Sequence, residues 1–113
     1  MSICSYSIGG RFMSYQPMDE ALVEKVTNTF KALSDPTRMK ILHLLFHEEK
    51  SVSEIAEALH MQQSTISHQL QYLRQIQLVK SRREKTRRYY SLDDYHVINL
   101  LEQAIEHSKH AHE

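Results

Sequence analysis

The fold is decided by one continuous stretch, residues 51–92, which reads SVSEIAEALHMQQSTISHQLQYLRQIQLVKSRREKTRRYYSL. It begins with Ser51-Val52-Ser53-Glu54, a capping-box pattern that predicts the start of a short helix. After a turn, a second helix is expected, because Ile66, Leu70 and Leu73 recur at helical spacing and form a buried stripe. Two short amphipathic helices joined by a tight turn predict a helix-turn-helix.

Two β-strands are expected to follow, over residues 78–83 and 87–92. The tip between them, Glu84-Lys85-Thr86, lacks the glycine that a tight hairpin usually contains. The pattern nevertheless favours a β-hairpin directly after the helix-turn-helix.

Three further helices are predicted around this stretch. Asp19 opens the first, and Asp35 caps the second with Pro36 in its first turn. The apolar face of the first helix consists of Leu22, Val26, Phe30 and Leu33. Asp93 is expected to cap a last helix with an apolar seam over residues 97–108. The order α-α-α-α-β-β-α predicts a mainly α protein with a small β-hairpin, which is the winged helix-turn-helix arrangement.

The charge of the chain is balanced overall but unevenly distributed. The 113 residues contain 14 Lys and Arg against 14 Asp and Glu. Between His60 and Leu92, however, about seven basic residues stand against one acid, Glu84. A basic patch on a neutral protein predicts a surface that binds nucleic acid.

Short polar side chains cluster at the start of the second helix of the pair, where a recognition helix meets base edges in the major groove. The expected base-contacting residues are Gln63, Ser64, Thr65, Ser67, His68 and Gln69. The expected phosphate-contacting residues of the hairpin are Arg82, Arg83, Lys85, Arg87 and Arg88. Each pattern alone also fits a solvated surface; their succession favours double-stranded DNA as the partner.

The last helix carries a candidate metal site. Asp94 and His96 are expected in its first turn, and His107 and His110 near its end. Three imidazoles and one carboxylate suit a tetrahedral zinc ion. The two pairs lie about 16 Å apart along a helix, so that one helix cannot bring both to one ion. Two antiparallel copies can, which predicts two sites per homodimer. A polar, solubilising helix face remains the alternative at this point.

From Glu20 to His110 the chain resembles the ArsR/SmtB family of metal-responsive repressors. The segments that carry the resemblance are FKALSDPTR (30–38), QSTISHQL (63–70) and YYSL (89–92). It implies a dimeric repressor that binds an inverted-repeat operator and dimerises through its first and last helices. Two features depart from the family: Gln62 stands where a Ser cap is usual, and the hairpin tip lacks its usual glycine.

The resemblance extends to the candidate ligands. Asp94-x-His96 and His107-x-x-His110 match the last-helix site of the zinc- and cobalt-sensing CzrA/SmtB branch. The resemblance therefore implies zinc(II) as effector, with cobalt(II) second and release of the operator on metal binding. His112 ranks below His110 as a ligand.

Other functions remain open on the sequence. The chain could be a winged-helix regulator that ignores metal or responds to another inducer, or a histidine-rich zinc buffer. An enzyme is not expected, because four protein ligands would leave a zinc ion no position for water.

Residues 1–18 contain both glycines and no periodic pattern. They are expected to form a disordered tail before a domain that spans residues 19–113, with Met13 or Met18 as alternative starts. The single cysteine, Cys4, excludes a disulfide within one chain. No apolar run approaches the ~20 residues of a membrane span, and the protein is expected to be cytoplasmic.

Overall fold

A computed structural model describes the backbone of residues 5–8 and 11–111 and the side chains of residues 14–110. Cys4 and His112, considered above, lie outside the described residues. The helices are α1 (Glu20–Leu33), α2 (Pro36–Leu45), α3 (Val52–Leu59), α4 (Gln63–Gln75) and α5 (Tyr95–Ala111). The strands are β1 (Ser5–Ile8), β2 (Arg11–Ser14), β3 (Lys50–Ser51), β4 (Val79–Glu84) and β5 (Arg87–Leu92). The predicted winged helix-turn-helix is confirmed.

Local sequence accounts for most helix starts. The side chain of Asp35 accepts a hydrogen bond from the backbone N–H of Arg38 at 2.9 Å, with Pro36 in the first turn. The capping box of α3 is formed in both directions, because Ser51 Oγ accepts from the N–H of Glu54 and Glu54 Oε1 accepts from the N–H of Ser51. These contacts fix where the first helix of the helix-turn-helix begins.

The turn between α3 and α4 depends on His60. This residue ends α3 in the left-handed conformation, with φ 56° and ψ 47°. Glycine is the usual residue in this position because it has no Cβ to clash. The helix-turn-helix therefore carries a local strain at its turn.

The sheet is antiparallel with strand order β3-β5-β4. The short β3, which the sequence did not predict, pairs Lys50 with Tyr90 and Ser51 with Tyr89. The core lies between this sheet and the helices, since α4 contacts β4 and α2 contacts β5. Its fully buried large side chains are Ile41, Leu42, Ile55, Ile66, Leu70, Leu73 and Val79. The predicted stripe of α4 therefore faces the core, and the opposite face of this helix is exposed.

Two short strands lie within the segment for which a disordered tail is predicted. β1 and β2 pair with each other in a sheet separate from the three-stranded one. An isolated two-stranded hairpin is marginally stable at best in water. The domain boundary at Asp19 therefore stays a prediction.

Candidate DNA interface and metal site

The exposed start of α4 is the first half of the candidate DNA interface. Ser64, Thr65, Ser67 and His68 are all exposed, because they lie opposite the buried stripe of the same helix. Gln62 occupies the N-cap without a side-chain hydrogen bond. The first backbone N–H groups of α4 are therefore not capped by that side chain, and such groups bind phosphate well.

Gln69, the last of the predicted base-contacting residues, is placed differently. It is half-buried, and its Oε1 accepts a hydrogen bond from Arg38 at 3.3 Å. The same guanidinium donates to the carbonyl of Ala32 at 3.1 Å and lies 4.5 Å from the centre of the Tyr72 ring. Arg38 thus joins the end of α1 to α4, a link across 31 residues that no local pattern in the sequence indicates.

The hairpin β4–β5, hereafter the wing, is the second half of the interface. Its cross-strand register pairs Arg83 with Arg88, Glu84 with Arg87 and Arg82 with Tyr89. Because directly opposite residues share a face, the wing has two faces. The covered face carries Val79, Ser81, Arg83, Arg88, Tyr90 and Leu92; the open face carries Lys80, Arg82, Glu84, Arg87, Tyr89 and Ser91. At the tip, Lys85 takes φ 59°, the conformation for which the missing glycine would be suited.

Arg82 on the open face is surrounded by acceptors. Its Nε lies 3.1 Å from each carboxylate oxygen of Glu49, and a second guanidinium nitrogen also donates to Glu49. Its remaining nitrogen donates to Glu84 at 2.7 Å, while the ring of Tyr89 lies 5.0 Å away. The hydrogen bonds from Arg82 hold the pKa of Glu49 below its usual range. Sequence reasoning missed Glu49, which lies 33 residues from Arg82.

Arg83 and Arg88 on the covered face have no such partners. Arg88 donates to the hydroxyl of Ser81 at 3.0 Å, which leaves its charge uncompensated. Arg83 is exposed and has no hydrogen bond or ion pair within residues 14–110. The two arginines are directly opposite each other.

The wing and the helix-turn-helix border a common groove. Gln63 at the start of α4 and Arg87 of the wing both line it, together with His60, Glu54 and Glu57. The two halves of the candidate interface are thus adjacent, as a surface for one duplex requires.

The first pair of candidate metal ligands lies at the start of α5. Asp94 precedes the helix rather than lying in its first turn, and it takes the capping place predicted for Asp93, since Oδ1 accepts from the backbone N–H of His96 at 2.8 Å. This hydrogen bond is the main reason why the pKa of Asp94 lies below its usual range, and the hydrogen bond to the imidazole of His96 lowers the pKa further. Asp94 Oδ1 and His96 Nδ1 are 3.0 Å apart. Ligand atoms at 2.0–2.1 Å from a tetrahedral zinc are about 3.3 Å apart, so this pair is close to the spacing required.

The second pair, His107 and His110, lies near the other end of α5, where both side chains are exposed. His110 Nε2 lies 3.7 Å from a carboxylate oxygen of Glu106. Across residues 5–8 and 11–111, one chain alone gathers no group of three or more metal-ligating side chains. The two pairs are therefore separate within a protomer, as the helical spacing requires.

An apolar surface remains exposed on α1 and α5. Leu22, Val26 and Phe30, which the sequence predicted on one helix face, do not pack into the core, and the exposed fraction of Phe30 is 54%. Leu100 of α5 is exposed as well, and a cavity between Met39 and α5 is lined by Leu101, Ala104 and Ile105. An apolar surface of this kind on a small domain marks an interaction site.

None of the helices that the structure describes has both the length and the apolar character needed to cross a membrane.

Comparisons with known proteins show similarity to bacterial transcriptional regulators. The family model "Bacterial regulatory protein, arsR family" matches residues 35–81, from the start of α2 into β4. The chain is 40% identical to the HTH-type transcriptional regulator NmtR of Mycobacterium tuberculosis over 107 residues, which is 95% of this chain and 89% of that protein. It is 39% identical to a transcriptional repressor SmtB homolog of Synechocystis over 90 residues, 80% of this chain and 67% of that protein.

A solved structure is also similar. The homodimeric winged helix-turn-helix DNA-binding domain of Mb0332 from Mycobacterium bovis superposes with a TM-score of 0.73 at 37% identity, covering 82% of this chain and 88% of that one. These proteins are transcriptional regulators or DNA-binding domains, and none is described as an enzyme.

Proposed function

Because the chain belongs to the arsR family of bacterial regulatory proteins, we propose that it is a homodimeric transcriptional repressor that releases its operator on binding zinc. The resemblance found in the sequence is thereby confirmed at the level of the family. The choice of metal, the ligands and the DNA-contacting residues are our proposals for this chain.

The exposed start of α4 beside the basic wing is the observation that carries the DNA-binding part. In this proposal Gln63, Ser64, Thr65, Ser67 and His68 reach base edges, while the basic residues of the wing neutralise phosphates. In the same proposal Gln69 does not contact a base; it accepts a hydrogen bond from Arg38 and so helps to hold α4 against α1.

The apolar surface of α1 and α5 supports the homodimer. Phe30 and Leu100 would otherwise stay in water, and a two-fold axis allows the same surface of a second copy to cover them. Such a dimer presents two recognition helices, which an inverted-repeat operator requires.

The positions of the two ligand pairs support a metal site between subunits. Asp94 and His96 of one protomer, with the partner's His107 and His110, provide one carboxylate and three imidazoles for zinc or, second, cobalt. The donors are too few for nickel, which prefers more than four, and too hard for copper(I). Each dimer then has two equivalent sites between antiparallel α5 helices.

Release follows from linkage. A dimer held at both α5 helices has a fixed arrangement of its recognition helices, and metal weakens DNA binding only if it prefers an arrangement that does not fit the operator. DNA must weaken metal binding by the same factor. We expect a coupling of about 1–3 kcal/mol, which is roughly 5- to 150-fold in operator affinity.

Fluorescence anisotropy of an inverted-repeat duplex, titrated with the metal-free dimer and with one zinc per subunit, tests the proposal. We expect tight binding without zinc, weaker binding with it, and recovery after chelation. His107→Ala should keep DNA binding and lose the zinc response. His47→Ala, an exposed histidine of the segment after α2, is the matched control and should respond like wild type. Zinc-triggered release that persists in His107→Ala would contradict the ligand assignment; tight binding that ignores zinc would favour a regulator with another inducer.

A further inference from the structure

We propose that three of the four arginines of the wing have two different roles: Arg83 and Arg88 bind DNA phosphate, whereas Arg82 is a positioning residue that orients the wing through Glu49. The inference rests on the proposed DNA-binding function and goes beyond it, because the sequence had placed all three in one phosphate-contacting group.

All three guanidinium nitrogens of Arg82 already donate to carboxylates. Two of its nitrogens are engaged by Glu49, the third donates to Glu84, and one face of the guanidinium lies against Tyr89. A bidentate carboxylate matches the geometry of the guanidinium as well as a phosphate does. The exchange of one anion for the other would therefore gain little.

The charge around Arg82 also disfavours DNA. The carboxylates of Glu49 and Glu84 neutralise the positive charge of Arg82. A compensated arginine has no net charge to offer a phosphate, and so it adds little to the release of the cations condensed on DNA.

Arg83 and Arg88 have the opposite properties. They are directly opposite each other, and like charges in that position destabilise a hairpin. No carboxylate compensates them among residues 14–110, where Ser81 is the partner of Arg88. An anion between the two would remove the repulsion, and a phosphate group has the charge and the acceptor oxygens for both.

Their position on the wing fits the same task. The covered face also carries Val79, Tyr90 and Leu92, which are buried. Since β4 contacts α4 and β5 contacts α3, this face of the sheet is the one on which the helix-turn-helix packs. Arg83 and Arg88 continue the face beyond its buried part, toward the tip.

Arg82 ties the wing to the rest of the domain. Glu49 lies in the segment between α2 and β3, and therefore belongs to the body of the domain and not to the hairpin. The Arg82–Glu49 contact thus fixes the orientation of the wing relative to the segment that precedes β3. A wing with a fixed orientation presents Arg83 and Arg88 to the same phosphates at every encounter.

The salt dependence of DNA binding separates the two roles. The metal-free dimer is titrated into an operator duplex and into a random-sequence duplex at several salt concentrations, and the slope of log K against log salt is measured. Arg83→Gln and Arg88→Gln should each reduce the magnitude of the slope by about 1.8 per dimer, since two copies of one phosphate contact are lost. Arg82→Gln, the adjacent matched control, should leave the slope unchanged.

A positioning role makes a second, different prediction for Arg82. Arg82→Gln, Glu49→Gln and the double variant should lower affinity by the same factor, about two- to fivefold, at all salt concentrations. If the plots of log K against log salt for the three variants are parallel to that of wild type and displaced by the same amount, Arg82 and Glu49 form one interaction that orients the wing without contacting phosphate. A purely structural contact would leave the lines superimposed and would overturn the role.

The inference is overturned if Arg82→Gln loses as much slope as Arg83→Gln, or if Arg83→Gln and Arg88→Gln keep the wild-type slope. The random-sequence duplex keeps this test separate from the proposed function. Non-specific binding depends on phosphate contacts and not on operator choice or zinc, so a failed zinc response would refute the sensor while the slopes still decide the wing.

Discussion

Two variants that each lack one half of the proposed metal site, His96→Ala and His107→Ala, should bind no zinc at α5 when pure and should recover binding when mixed. The perturbation is chosen from the length of α5. The two residues are eleven positions apart, or about 16 Å at 1.5 Å per residue. Zinc–nitrogen bonds of about 2.0–2.1 Å cannot span that distance, so no protomer can complete a site alone.

The size of the recovery follows from the symmetry. In a mixed dimer, one site has lost a ligand from each subunit, and the other keeps all four. With equal amounts and free exchange, half of the dimers are mixed and each has one intact site of two. About a quarter of the wild-type zinc capacity should therefore return.

The assay is a zinc titration before and after subunit exchange, repeated with cobalt, whose visible spectrum reports tetrahedral coordination. A different tag on each variant shows by mass spectrometry that mixed dimers have formed. Zero recovery in verified mixed dimers would refute a site built across the subunits. Full binding by either pure variant would refute the ligand set.

Further predictions concern the turn, the caps, the dimer and the link between helices. His60→Gly should raise the free energy of unfolding by about 0.5–1 kcal/mol, because it removes the left-handed strain, whereas Ala58→Gly in the same helix should lower it by up to about 1 kcal/mol; thermal melts at one protein concentration compare them. The hydrogen bond from the N-cap backbone lowers the pKa of Glu54 in the folded chain, so its stabilising contribution is present above the unfolded pKa and is lost as pH falls through the folded one. In denaturant unfolding from neutral to acidic pH, the free energies of unfolding of wild type and Glu54→Gln should therefore converge as the pH falls. A difference between them that does not change with pH would contradict this. Phe30→Ala should weaken the dimer by about 2 kcal/mol, roughly 30-fold, since two half-exposed rings lose their cover; sedimentation equilibrium measures the change, and an unaltered dimer would exclude α1 from the interface. Arg38→Met should lower operator affinity and leave zinc affinity unaltered in paired titrations; operator binding equal to wild type would refute its role in holding α4.

The sequence was sufficient for the helix-turn-helix because its determinants are local. The capping box at Ser51 and the stripe Ile66, Leu70 and Leu73 each specify structure within one or two helical turns. The cap of α5 was assigned one residue too early, to Asp93 instead of Asp94. Two adjacent aspartates satisfy the same pattern, and only the direction in which the chain leaves β5 separates them.

Periodicity could show that Leu22, Val26 and Phe30 share a helix face, but not what that face contacts. An apolar stripe is the same whether it meets its own core or a second chain. The structure shows that these side chains stay exposed outside the core, and a second chain as their contact is part of our proposal. The metal ligands were predicted from spacing together with a family resemblance, and they remain a prediction.

The ion pairs of the wing could not be predicted from the sequence. A run of basic residues in a strand gives the charge but not its compensation, and the carboxylate of Glu49 reaches Arg82 from a distant segment. Likewise, Gln69 belongs by sequence to the polar start of α4, yet it is turned toward Arg38. Both contacts are long-range, and neither leaves a periodic trace in the chain.

The contacts of Arg38 couple the position of α4 to that of α1. One guanidinium holds the end of α1 and the side of α4 together, so both helices are expected to move as one body. In the dimer that we propose, this body turns about the contact between α1 and the α1 of the second copy, close to the two-fold axis. A small change in the angle between the two α1 helices would leave the packing within each protomer undisturbed. It would nevertheless change the distance between the two α4 helices, and so their fit to two successive major grooves. Loss of the operator then requires no refolding inside a subunit, only a turn at the hinge between two rigid arms.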